Sequence, residues 1–123
     1  MTDPCVFCEI VAERSPAKIL NHYPIQNSIV LAPLNPVVEG HVIVIPTRHI
    51  SSAIDDPRGA GFVMEAAAFW TKSRDRYNTK YDSVNFITSV GMPATQSINH
   101  LHIHIVPRQI GDGLMLPWTN QKV

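Results

Sequence analysis

Three histidines at every second position, His100, His102 and His104, lie in the stretch Asn99–Arg108, "NHLHIHIVPR". Along a β-strand, successive side chains point to opposite faces. The three imidazoles then share one face, with about 6.6 to 7 Å between neighbours. Leu101, Ile103 and Ile105 share the other face and are expected to enter a core. A rigid strand anchored from behind holds such a row more tightly than a loop does. Three uses of the row are open. It can be plain surface polarity. It can ligate a metal if the rings lean together. It can do nucleophilic chemistry, because a neutral imidazole near pH 7 attacks phosphorus well and neighbouring rings can fix its tautomer and stabilise charge.

The rest of the chain must position that row. "CEIVAER", residues 8–14, reads as a short helix, stopped by Ser15-Pro16 because proline disfavours helix at the residue before it. "AKILNH" and "SIVLAP" read as strands separated by the turn "YPIQN", and the β-branched run "HVIVIPT" as a third strand. Asp55-Asp56-Pro57 has the form of a helix start. Phe62, Ala66, Phe69, Ser73 and Tyr77 follow at helical spacing, giving an amphipathic helix of about five turns. "DSVNFITSV" reads as a fourth strand, "NHLHIHIVPR" as the fifth, and "GDGLMLPW" as a turn-rich tail. The order predicts an α+β fold: an antiparallel sheet of about five strands with one short and one long helix. Both helices are expected on one face, leaving the other for a site or a subunit contact.

Composition narrows the function classes. The 123 residues are 45% apolar and 16% charged, which suits one folded domain over residues 1–123 and argues against disorder. Ten acidic and ten basic side chains cancel, so no nucleic-acid partner is expected and phosphate recognition must be local. No apolar run approaches the roughly 20 residues of a bilayer span, and no membrane association is expected. "MTDPCVFCEI" lacks the basic and apolar regions of a secretory leader. With only two cysteines, Cys5 and Cys8, a cytoplasmic protein with reduced thiols is expected.

"HLHIHIV" resembles the His-x-His-x-His-x-x signature of the histidine triad (HIT) family of nucleotide hydrolases and transferases. "CVFCEIVAERSPAKIL", "NPVVEGHVIVIPTRHI" and "GMPATQSINHLHIHIVPR" resemble the family in order and spacing, from Cys5 to Arg108. "IVPRQIGDGL" is most similar to bacterial members.

The resemblance implies that His102 attacks the α-phosphate of a nucleotide conjugate, giving a covalent nucleotidyl-histidine that water or another acceptor discharges. It implies that His104 donates to a phosphate oxygen and that His41 supports the nucleophile. Gln96 and Ser97 are the implied phosphate donors, with Ser89 beside them. Phe7, Ile10, Leu31, Leu34 and Asn35 are the implied nucleoside pocket; the apolar ones suit a plain core equally. A homodimer through the long helix and a strand edge is implied, with Phe69 and Trp70 dividing core and partner duties. His22 is given no role.

Cys5-x-x-Cys8 alone suits a redox pair, two packed thiols or a metal. The resemblance implies a structural zinc held by Cys5, Cys8, His49 and His100, a donor set that matches tetrahedral zinc. Two positions depart from the family pattern. Pro33 stands where nucleoside-binding members carry the Asp or Asn that accepts from the ribose hydroxyls. Ser89 stands where they carry Asn or Gln. A nucleotide-binding, zinc-stabilised protein without turnover is therefore the competing expectation.

Overall fold

The structure, a computed structural model, describes residues 5–75 and 79–119. Helix α1 spans Val6–Val11, with Cys5 as its N-cap; the Cys5 sulfur accepts from the Cys8 N–H at 3.5 Å. It starts and ends earlier than the sequence suggests. The thiol cap opens it before Cys8, and Glu13, at φ +61°, takes the left-handed conformation that closes it.

Strands β1 (Ile19–Tyr23) and β2 (Ser28–Leu31) form a hairpin, and β3 (Val42–Pro46) pairs with β2. Helix α2 covers Pro57–Asp75, and β4 (Val84–Ile87) and β5 (Ile103–Pro107) complete the sheet. All pairs are antiparallel, in the order β1-β2-β3-β5-β4. The predicted α+β architecture of five strands with one short and one long helix is therefore observed. Every residue of β2 and β3 is buried, in keeping with their continuous apolar runs over residues 29–31 and 42–45.

The helices do not share a face, contrary to expectation. Val63, Ala66, Ala67 and Trp70 of α2 pack with Val30, Val42, Val44, Leu101, Ile103 and Ile105. Phe7 and Ile10 of α1 pack with Ile29, Leu31, Ile43 and Ile45, the alternate residues of the same strands. Ile43 is the cross-strand partner of His104, so α1 lies on the histidine side. Two apolar faces on β2 and β3 need two covers, and α1 supplies the second.

The packed face of α2 also differs from the predicted one. Gly59, Val63, Ala66, Ala67 and Trp70 are buried, whereas Phe62 and Phe69 are 42% and 47% exposed. Small residues alternate with Val63 and Trp70 on this face, and at its start the helix meets the segment after β3 closely: a Cβ on Gly59 would stand 2.7 Å from Ile50 Cδ1. Of the residues predicted on the core face, Ala66 lies there, Ser73 is exposed, and Tyr77 lies outside the described residues.

Strand β5 begins at Ile103, later than predicted; its pairing with β4 reaches His104 and its pairing with β3 reaches Ile103. Upstream the chain is held otherwise. The Thr88 hydroxyl donates to His102 O at 2.9 Å, and the Leu101 N–H donates to Ile50 O at 2.6 Å. Leu101, Ile103 and Ile105 still point into the core, as alternation requires.

Candidate active site

The loop from β2 to β3 delivers His41. It turns at Gly40, at φ +89°, where the Tyr81 hydroxyl donates to the glycine carbonyl at 2.8 Å and a Cβ would meet that hydroxyl at 2.9 Å. His41 is buried next to His104, their ring centroids 5.2 Å apart. His104 and His102 are also 5.2 Å apart, on the same side of the sheet.

Backbone groups fix the tautomers of these rings. The Val37 N–H can only donate, and it points at His41 Nδ1 at 3.1 Å, so that nitrogen accepts. His41 Nε2 then carries the hydrogen and donates to His104 Nδ1 at 2.9 Å. His104 must in turn bear its hydrogen on Nε2. Carbonyl oxygens only accept, so His102 Nδ1 bears the hydrogen donated to His100 O at 2.8 Å. His102 Nε2 is left with a lone pair and has no partner among the described residues. A nitrogen with a free lone pair and an N–H donor thus stand on rings whose centroids are 5.2 Å apart.

Burial keeps the two supporting rings neutral. It pushes His41 below the usual histidine range. Burial, reinforced by His102 and His41, pushes His104 down to about 4. At neutral pH these two rings are thus uncharged, with defined donors and acceptors.

The other predicted residues are placed unevenly. Ser97 is exposed in the loop before β5, and its hydroxyl has no partner among the described residues. Gln96 is buried: its amide group donates to Ser51 O at 2.6 Å and Ile98 O at 3.1 Å and accepts from the Gly91 N–H at 3.0 Å. Its side chain therefore organises the loop that presents Ser97. Ser89 is half-buried just beyond β4. Phe7, Ile10 and Leu31 are buried together in the α1-side core, while Leu34 is 97% exposed and Asn35 is exposed beside it. Sequence reasoning did not single out the Val37 N–H, the Thr88 hydroxyl or the Pro46 carbonyl. Two are backbone groups, which leave no trace in residue type.

Cys5, Cys8, His49 and His100 converge, with their ligand atoms all within 4.8 Å of one another. His100 Nδ1 lies 3.3 Å from Cys5 Sγ and 3.5 Å from Cys8 Sγ, and His49 Nδ1 lies 3.2 Å from Cys8 Sγ. Tetrahedral zinc, with its usual bonds to sulfur and nitrogen, sets such atoms roughly 3.3 to 3.8 Å apart. His100 Nε2 donates to Pro46 O at 3.1 Å, which leaves Nδ1 unprotonated and facing the sulfurs, as a metal-ligating histidine requires. Burial and the Cys5 thiol push Cys8 up to about 11. A bound dication reverses that preference by favouring both thiolates. The four residues fit a metal.

A family model described as the HIT domain matches residues 15–111. The chain belongs to the HIT family. Among HIT relatives, an uncharacterized HIT-like protein of Mycobacterium tuberculosis is 31% identical over 111 residues, covering 90% of this chain and 76% of that one. The adenosine 5'-monophosphoramidase of Saccharomyces cerevisiae is 28% identical, covering 96% of this chain and 72% of its own. A zinc-bound histidine triad protein of Mycobacterium smegmatis superposes with a TM-score of 0.77 at 31% identity, covering 91% of this chain and 80% of that one. The HIT match encloses His41, His49 and the whole histidine row; Cys5 and Cys8 lie upstream of it. Among the described residues, no helix is long and apolar enough to cross a membrane.

Proposed function

We propose that this HIT protein is a nucleotide hydrolase or nucleotidyl transferase acting at the α-phosphate of a nucleotide conjugate. The observation that carries the reading is the relay of tautomers: Val37 N–H to His41, His41 to His104, and His102 to the His100 carbonyl. It leaves a lone pair on His102 Nε2 and a hydrogen on His104 Nε2, on rings whose centroids are 5.2 Å apart.

The lone pair attacks phosphorus. An N–P bond forms, and the bond to the leaving group breaks with its electron pair passing to that group, which takes a proton from solvent. His104 Nε2–H donates to a non-bridging phosphoryl oxygen where charge accumulates, and Ser97 adds a hydroxyl. Water then displaces the histidine. Its hydroxyl passes to phosphorus, its remaining proton to solvent, and His102 regains its lone pair. A phosphoramidate is the favoured substrate, supported by the activity named for the yeast relative.

Zinc is the proposed occupant of Cys5, Cys8, His49 and His100, supported by the donor set and by the zinc-bound relative. When bound it supplies a fixed tetrahedral crosslink. A second copy of the chain is the proposed cover for Phe62 and Phe69 on α2. The cytoplasm is the proposed compartment, consistent with two free thiols, and a small nucleotide is the proposed partner.

The test is turnover of an adenosine or guanosine phosphoramidate, with acid-quench trapping and mass-spectrometric mapping of the adduct. An adduct on His102, and loss of both adduct and turnover in His102→Ala, are the expected results. Pro33 and the exposed Leu34 favour a second reading, a nucleotide-binding protein without turnover, because neither offers the ribose an acceptor side chain. Binding across a nucleotide panel with no adduct would select it.

A further inference from the structure

Helix α1 joins the cysteine–histidine cluster to the candidate nucleophile. Cys5 caps the helix, Cys8 lies within it, and between them Phe7 turns into the core. The Phe7 ring stands edge-on against His100, at 5.6 Å and 82°, and against His102, at 5.4 Å and 68°. His100 faces both ways: its ring meets the sulfurs, and its carbonyl accepts from His102 Nδ1. Two physical routes therefore run from the cluster to His102, one through the His100 main chain and one through Phe7.

We infer that closing the Cys5–Cys8–His49–His100 cluster on a metal holds the His102 ring in its Nδ1–H tautomer and rotamer, with Phe7 as the positioning residue between them. The inference rests on His102 being the nucleophile, but concerns how its ring is held. A helix of six residues has little stability of its own. Its place on the sheet comes from Phe7, Ile10 and whatever fixes its two sulfurs. With those sulfurs anchored, Phe7 blocks rotation of the His102 ring on one side while the His100 carbonyl holds Nδ1. With them released, the wedge and the carbonyl loosen together. His104 is held from elsewhere, by His41 and Val37, and serves as an internal reference.

Two-bond proton–nitrogen correlation on the full chain reads the ring nitrogens directly, without any turnover. The His102 signals are assigned from their absence in His102→Ala. In zinc-loaded protein the two His102 nitrogens are expected to be well separated, with hydrogen on Nδ1. After chelation, and in Cys8→Ser, they are expected to move toward each other as the tautomers mix, while His104 stays unchanged. Phe7→Ala, which retains all four metal donors, is expected to mix the His102 tautomers with zinc still bound, and Phe7→Leu to restore them. If stripping the metal collapses the dispersion of the amide spectrum, Phe7→Ala decides alone. A His102 ring that is indifferent to Phe7→Ala overturns the inference, as does one identical in loaded and stripped protein of native fold. A His102 that responds as expected but never forms an adduct would retain this inference and remove the proposed catalysis.

Discussion

His41 Nε2 lies 2.9 Å from His104 Nδ1, and the Val37 N–H fixes which ring donates. The His104 donor face is therefore set by a peptide group 67 residues upstream in sequence, acting through His41. His41→Ala removes the acceptor for Val37 and the donor to His104 in one step. Turnover of a phosphoramidate is expected to fall by about 10²–10³, the loss typical when one preorganised donor to a developing oxyanion is lost. His41→Ala combined with His104→Ala is expected to cost little more than either alone, because both break the same relay. Full additivity in kcat would separate the two residues.

Stability is expected to fall as the pH drops from neutral toward 4. The His104 ring takes its proton at about 4 in the folded chain against 6.5 for the free side chain. Between those values the unfolded chain binds the extra proton, so acidification favours unfolding. Below about 4 both states are protonated and this contribution levels off. Urea melts at pH 7 and pH 5, compared with His104→Asn, measure it: the wild type should lose more on acidification. An equal loss in both would place the sensitivity elsewhere.

Thr88→Val keeps the side-chain shape and removes the hydroxyl that donates to His102 O. A single such hydrogen bond contributes about 0.5–1.5 kcal/mol. If most of that acts on the position of the His102 backbone, kcat should fall roughly 2- to 13-fold, with KM little changed. A change confined to KM would move Thr88 out of the positioning role.

Gly59→Val tests the close approach of the start of α2 to Ile50, in the segment after β3. A better helix former gains up to about 1 kcal/mol over glycine, but branched atoms at this site meet Ile50 Cδ1 and Asp56 Oδ2, both 2.7 Å from the Cβ position. Overpacking of about 1–3 kcal/mol should win. Denaturant unfolding should show net destabilisation, and a stabilised variant would mean the helix shifts freely.

Asp112 tests how the segment after β5 is fastened. Arg108, with the Gln109 and Leu114 N–H groups, holds the Asp112 carboxyl far below the usual carboxylate range. Asp112→Asn should lower Tm at neutral pH. The gap from wild type should close as acid protonates the carboxylate, since a depressed acid stabilises only while ionised. A gap that persists at low pH would assign the loss to packing.

The histidine row, its apolar counter-row and the succession of strands along the chain were legible because alternation and β-branched runs are carried by side-chain type. The convergence of Cys5, Cys8, His49 and His100 followed from the family resemblance, and the fold brings those four together. The packed face of α2 was not legible from spacing. Phe62 and Phe69 have the hydrophobicity of a core face, yet the buried face of the helix is made of Gly59, Val63, Ala66, Ala67 and Trp70. The tautomers were invisible for another reason: Val37, His100 and Pro46 act through N–H and C=O groups that every such residue carries. The family resemblance implies that Gln96 donates toward substrate, and only the fold reveals the backbone groups that engage its amide.

From Leu101 to Ile105 the side chains divide by parity, aliphatic ones toward α2 and imidazoles toward α1. Inserting or deleting one residue here would exchange the two sets at a stroke, driving rings into the hydrocarbon interior and stranding isoleucines on the side of His41. This segment is therefore the part of the chain where a change of length, rather than of chemistry, is least survivable.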